Sequence, residues 1–177
     1  MSYTFQTDRL LLRPYGSEDW PHVHRIWTDP AIVWWRANDP MTEDETRDLH
    51  GRYLGINGAA ARGLGWWLLF DRVTEGKLIG QVALKSLPDI PGETEVVWQV
   101  LPAHRGQGYA SEAGREMLRH GFETMALDQI VAPIVPENAA SLAVARRLGM
   151  SKTGELMKSG LLHHLFRISH TDWSALE

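Results

Sequence analysis

One stretch constrains this chain more than any other: Val100-Leu-Pro-Ala-His-Arg105-Gly106-Gln107-Gly108-Tyr109-Ala110. It follows an apolar run, Val96, Val97, Trp98 and Val100, and it opens a segment whose apolar and small residues recur at Ala110, Ala113, Gly114, Met117, Leu118, Gly121 and Phe122. That three-and-four spacing is one buried face of a helix. The stretch therefore reads as a strand, a glycine turn and a helix N-terminus. Such a junction leaves the first backbone N–H groups of the helix without intrahelical partners and adds the positive end of the helix dipole, about half an elementary charge. A phosphate or pyrophosphate suits it. Gly106 and Gly108 remove the side chains that would hold an anion off the backbone, and Arg105 adds a full positive charge. Gly-x-Gly also occurs in turns that bind nothing, so its surroundings decide. The dinucleotide fingerprint is not completed, because Ser111 holds its last place, and no Gly-Lys-Ser/Thr follows as a Walker loop requires.

The other elements gather around that junction. Arg9 to Arg13 reads as a strand stopped by Pro14. Ser17 is placed to cap a helix with Trp20, Val23 and Trp27 as its buried stripe, ended by Asp29-Pro30. Thr42-Glu-Asp-Glu45 is a capping box that starts a second helix, running through Leu49 and Tyr53 toward a glycine-rich loop from Gly55 to Gly65. Trp66 to Phe70 and Lys77 to Leu84 read as strands joined by a turn at Thr74-Glu-Gly76, and Glu93 to Val100 is the strand that enters the glycine turn. Ile130 to Val135 is apolar enough for a strand covered on both faces, which with the preceding strand and helix makes a right-handed parallel unit. Ligands in such units gather at the carboxyl ends of the strands. Asn138 enters a helix with Leu142, Ala145 and Leu148 facing inward and Gly149 as its stop. Lys152 to Met157 and Leu161 to Ser169 pair as a closing hairpin around Ser159-Gly160.

No linker, repeat or low-complexity tract interrupts this order, so the 177 residues are expected to form a single domain, 1–177, with its core over about residues 8–170. A net charge of −4 leaves no basic excess to draw a nucleic acid. No apolar run reaches membrane-spanning length, and the first residues lack the basic-then-apolar pattern of a signal peptide. Without cysteine there is no disulfide, thiol nucleophile or thiolate metal ligand, which agrees with a cytoplasmic protein. His22 and His24 lack a carboxylate cluster at a ligand spacing, so no metal is expected.

Arg105-x-x-Gly108-x-Ala110 resembles the acyl-coenzyme A pyrophosphate loop of the GNAT N-acetyltransferase superfamily. The fuller run from Glu95 through Pro102 and Arg105 to Glu112-Ala113 is similar to the branch that includes ribosomal-protein-alanine N-terminal acetyltransferases. The order of elements resembles the same fold over nearly the whole chain. The resemblance implies an α/β fold of the α+β type: a central mixed sheet, mostly antiparallel, whose fourth and fifth strands run parallel and splay apart, with flanking helices. It implies acetyl-coenzyme A in the splay, held by Arg105, Gly106, Gln107, Gly108, Tyr109 and Ala110, with its pantetheine along Gln99 and Val100. Asn138 falls on the family's second cofactor-side motif, Pro136-x-Asn138-x-x-Ser141 with Leu148-Gly149-Met150. The implied partner is a primary amine, on a small molecule or a peptide N-terminus, and similar proteins are monomers or homodimers.

Acetyl transfer from a thioester to an amine needs a neutral nitrogen, a donor for the developing oxyanion and help for the leaving thiolate. Neutralising a lysine amine at pH 7 costs about 4–5 kcal/mol, a peptide α-amine only about 1–1.5 kcal/mol, so an α-amine acceptor needs modest help. Glu95, on one strand face with Val97 and Gln99, is the candidate base, with Glu93 in reserve; a solvated edge carboxylate is the plain alternative. Ser141 is the candidate proton donor, although helix capping explains the Asn138/Ser141 spacing without any chemistry. The family's commoner acid, a tyrosine four residues before the helix-ending glycine, is replaced here by Ala145. That departure keeps open a non-catalytic acyl-coenzyme A sensor. Trp34, Trp35 and Arg36, an aromatic pair beside a cation in an irregular segment, are the candidate substrate contacts, against the alternative of a packed joint. His163 and His164 point to opposite faces of the last strand, and a structural or surface role is the default for both.

Overall fold

The computed structural model describes residues 3–33, 40–59, 63–74 and 76–176, with 56–59 described by backbone alone. Its strands are β1 (Phe5–Gln6), β2 (Leu10–Pro14), β3 (Gly65–Asp71), β4 (Leu78–Ser86), β5 (Thr94–Val100), β6 (Gln129–Ile134), β7 (Ser151–Lys158) and β8 (Leu161–Ser169). Its helices are α1 (Trp20–Trp27), α2 (Pro30–Val33), α3 (Glu43–Ala59), α4 (Tyr109–Arg119), α5 (Ala139–Arg147) and α6 (His170–Ser174). The strands form one sheet in the order β1-β2-β3-β4-β5-β6-β8-β7, antiparallel except at β5–β6. The expected architecture is present. The strands called fourth and fifth from the sequence are β5 and β6, because the two-residue β1 is too short to carry any periodicity.

Both faces of the sheet are covered. On one, Ala113, Met117 and Leu118 of α4, followed by Phe122, pack over Val82, Leu84, Val96, Ile130 and Ala132. Burying Met117, Leu118 and Phe122 contributes about 1.5–3 kcal/mol each, which is why the residues read as one helical face lie inward. On the other face, Val23, Ile26 and Trp27 of α1 and Leu49 of α3 pack on Trp66, Leu68, Phe70 and Ala83.

Three local expectations change. The turn before α1 is capped by Gly16 and Asp19, not Ser17: Asp19 accepts from Gly16 N (2.7 Å) and from the Arg13 guanidinium (2.7 and 2.8 Å). The helix opened by Thr42, whose Oγ1 accepts from Glu45 N at 3.3 Å, runs on through Gly55 instead of stopping there. Tyr53 and Leu54 pack against the core at that point, and tertiary contact outweighs a glycine's cost of about 1 kcal/mol. The chain also ends in α6, whose Ser169–Asp172 capping box and buried Trp173 were not read from the sequence.

The parting of β5 from β6 positions the site. β5 pairs with β4 along its length, from Ser86↔Thr94 to Gly80↔Val100, but with β6 only at Glu95↔Val131. Leu101 N donates to Ile79 O at 2.9 Å, so the backbone groups of alternate residues back from Leu101 face β4. Those of Trp98 and Val100 therefore face the gap.

Candidate active site

A groove of about 660 Å³ opens at the parted strands, between the turn before α4, the end of β5 and the first turns of α5. Of the expected cofactor contacts, Gln99, Val100, Arg105, Gly106, Gly108, Tyr109, Ala110 and Asn138 line it. Gly106 (φ +74°) and Gly108 (φ +84°) take the left-handed conformation that lets the chain turn into α4. The first bond of that helix runs from Glu112 N to Gly108 O at 3.0 Å. The N–H groups of Gly106 to Ser111 meet no protein acceptor among the described residues, so they are free for an anion.

Two expected contacts differ. The Arg105 guanidinium donates from Nε to Val100 O (3.2 Å) and from its terminal nitrogen to Ala31 O (2.8 Å), tying the end of β5 to α2. Two of its five N–H donors are thus used on the backbone, while its charge borders the groove. Gln107 does not line the groove; its carbonyl accepts from Arg9 at 2.8 Å. Arg9 was missed by sequence reasoning because it sits just before β2, far in the chain from the glycine turn. It lies over the Tyr109 ring at 4.5 Å and donates to Glu112 from Nε (2.7 Å) and from its backbone N–H (3.0 Å). A carboxylate in the first turn of α4 thus staples β2 to the glycine turn.

Burial alone would raise the Glu112 pKa, but the hydrogen bonds from Thr7 and Arg9 outweigh it and the carboxyl is held below its ordinary value. A carboxyl lowered in the fold stabilises above its unfolded pKa of about 4.3, and that contribution disappears as pH falls through the lowered value. Glu112→Gln is expected to cost about 1–3 kcal/mol of unfolding free energy at pH 7, because it leaves Arg9 and Thr7 poorly paired. In urea titrations the gap between variant and wild type should narrow as pH falls below about 4.3 and through the lowered value. A gap that is as wide in acid as at pH 7 would remove the carboxylate as its source.

At the groove's inner end, Asn138 Oδ1 accepts from Ser141 N at 3.0 Å, the capping bond expected of that spacing. The Ser141 hydroxyl oxygen accepts from the Trp98 indole N–H at 3.3 Å, which leaves its own proton free to be donated. Trp98 went unnoticed in the sequence as one more apolar strand residue. Ala145, in the place of the family tyrosine, is fully buried and brings no polar atom to the groove.

On the other side of the parted strands lies a smaller cavity of about 100 Å³, bordered by Glu95, Lys158 and His163. It shares Trp98, Gln99, Asn138 and Ser141 with the large groove, so the two meet at the splay. Glu95 is 5% exposed, and both its oxygens accept from Lys158 Nζ at 2.8 Å while Oε2 also accepts from Lys85 Nζ at 2.5 Å. Two ammonium groups thus fill three of the roughly four acceptor sites of this carboxylate. Glu95, expected as the candidate base, is an ion-paired carboxylate that holds two lysines at the splay, not the solvated edge carboxylate of the plain alternative. Glu93, the reserve, binds Arg167 (2.7 Å) and Gln129 (2.8 Å) and borders neither cavity. Gln99 is buried, and its side-chain oxygen accepts from Gln81, whose own oxygen accepts from Tyr15. Burial drives the Tyr15 hydroxyl well above its ordinary pKa, so it stays protonated as the donor that begins this chain. Trp34, Trp35 and Arg36 lie outside the described residues.

The comparisons with known proteins agree with this geometry. The model of the acetyltransferase (GNAT) domain matches residues 9–151. The chain is 32% identical over 156 residues, 84% of its length, to the FsC-acetyl coenzyme A-N(2)-transacetylase of Aspergillus fumigatus, and spans 65% of that protein. It is 30% identical over 154 residues to the uncharacterized N-acetyltransferase YnaD of Bacillus subtilis, covering 86% of this chain and 85% of that one. The crystal structure of an acetyltransferase from Agrobacterium tumefaciens superposes with a TM-score of 0.79 at 28% identity, over 94% of each chain. With the glycine turn, the parted strands and these matches together, the chain belongs to the GNAT family of acetyltransferases.

Proposed function

We propose that this protein transfers the acetyl group of acetyl-coenzyme A to a primary amine. The observation that carries the proposal is the continuous path from the unpaired N–H groups of Gly106 to Ser111, along Trp98 and Val100, to the free hydroxyl proton of Ser141. These residues fit the donor: two left-handed glycines leave the turn bare for a diphosphate, and the gap-facing backbone of Trp98 and Val100 offers a strand edge to an amide-bearing arm. Bound acetyl-coenzyme A supplies an activated thioester; the protein supplies position and proton transfer. Asn138 borders the path, and Ser141 Oγ is the proton donor for the departing sulfur. Glu95 keeps Lys85 and Lys158 over the acceptor side, a cluster with one net positive charge. Trp34, Trp35 and Arg36 remain proposed acceptor contacts on sequence grounds.

That positive cluster favours an α-amine, which loses its proton cheaply, over a polyamine. The test is thiol release from acetyl-coenzyme A with a panel of amines: amino-acid amides and short peptides with free N-termini, lysine side-chain analogues and spermidine. Turnover with the first group, at least tenfold faster than with the others at pH 7, is expected from the difference in neutralisation cost. Coenzyme A binding by calorimetry with no thiol release for any amine would instead support a non-catalytic acyl-coenzyme A sensor.

A further inference from the structure

The acetyl-transfer proposal leaves one part unfilled, the group that takes the proton from the incoming amine, and Glu95 is committed to two lysines. His163 on β8 is 4% exposed and borders the small cavity together with Ser141, Asn138 and Gln99. Its Nδ1 lies 3.0 Å from Leu161 O. A carbonyl oxygen only accepts, so Nδ1 carries the proton and the lone pair of the neutral ring is on Nε2. Among the described residues Nε2 has no hydrogen-bond partner. A ring whose tautomer is set by backbone, with its basic nitrogen left over beside a cavity, is built as a proton acceptor.

We propose that His163 Nε2 is the general base of this enzyme, reached by the amine directly or through one water; this rests on the acetyl-transfer proposal. The cavity of about 100 Å³ has room for about three waters at ~30 Å³ each. The charged groups on this face are Glu95 on β5, Lys85 on β4, Lys158 on β7 and, further along, Glu93 with Arg167. His164 points to the other face, where it lies 3.7 Å from Glu155. The ammonium form of the acceptor gives one proton to Nε2, and its freed lone pair forms the C–N bond as the C–S bond breaks. The second surplus proton passes to sulfur from Ser141 or water, which the nitrogen's proton replaces, and His163 returns its own to solvent.

The test combines rates, binding and tautomer. His163→Gln should lower kcat/KM for an α-amine at least tenfold at pH 7, within the range of general-base contributions. The deficit should narrow above about pH 8, where solution already supplies neutral amine. His164→Gln should leave the rate unchanged, and coenzyme A affinity by calorimetry should be equal in all three proteins. Imidazole nitrogen NMR of the wild type should show His163 with its proton on Nδ1. A wild-type rate in His163→Gln with coenzyme A binding intact, a deficit independent of pH, or the Nε2–H tautomer would overturn the assignment. If the wild type binds coenzyme A but acetylates no amine, the transfer proposal fails first and takes this role with it. That outcome is distinct from a His163 variant as fast as an active wild type.

Discussion

Gly108→Asp is expected to abolish measurable coenzyme A binding while leaving the protein folded. Gly108 sits at φ +84°, at the start of α4. An aspartate there gains none of its usual capping benefit, which requires extended backbone, and accepts a left-handed conformation at about 1–2 kcal/mol. That is a tolerable loss for a sheet covered on both faces. Binding suffers far more. A carboxylate at the turn stands where the anion must lie, and two unit charges 4 Å apart repel by about 4 kcal/mol at an effective dielectric of 20. It also competes for Arg9, whose guanidinium would be 3.4 Å from the new Cβ. Calorimetry should record at least a hundredfold weaker affinity, whereas Gly108→Ala, with strain but no charge, should lose less than tenfold. Equal affinity of wild type and Gly108→Asp would remove this turn from the binding site.

The largest expected loss of stability comes from the strand behind the site. Gly80 on β4 faces the end of β5, and a Cβ there would overlap Gln99 O and lie 2.9 Å from Val100 Cα. Both obstacles are backbone in a paired ladder, so no side chain can rotate away. Gly80→Val is expected to cost about 3 kcal/mol, the upper end for overpacking. For a chain of this size that lowers Tm by about 6–12 °C. The same displacement moves Gln99 and Val100, so the variant that survives folding should also bind coenzyme A more weakly. Thermal unfolding within about 2 °C of wild type, the shift of a change of only about 1 kcal/mol, would show that β4 and β5 are not held as closely as described.

Most of the fold was legible because its signals are local and repetitive. The inward stripe of α4, the Thr42 capping box, the Asn138–Ser141 cap and the Ser159-Gly160 hairpin are each written in fewer than about a dozen neighbouring residues, where periodicity and turn chemistry act. The glycine turn was legible for the same reason. What escaped depends on partners distant in the chain. Arg9 meets Glu112 across 103 residues, and Trp98 meets Ser141 across 43. Glu95 illustrates the limit: alternation placed it on the right face of β5, but nothing near it in sequence announces Lys158.

By itself, then, the sequence determined the order of elements, the bare turn for an anion and the family, because backbone conformation and helix-end electrostatics are set by adjacent residues. Only the tertiary structure decided which acids and bases are free. A carboxylate's capacity to take a proton depends on the charges packed against it, and strand β4 and the β7–β8 hairpin bring Lys85, Lys158 and His163 there from two separate parts of the chain.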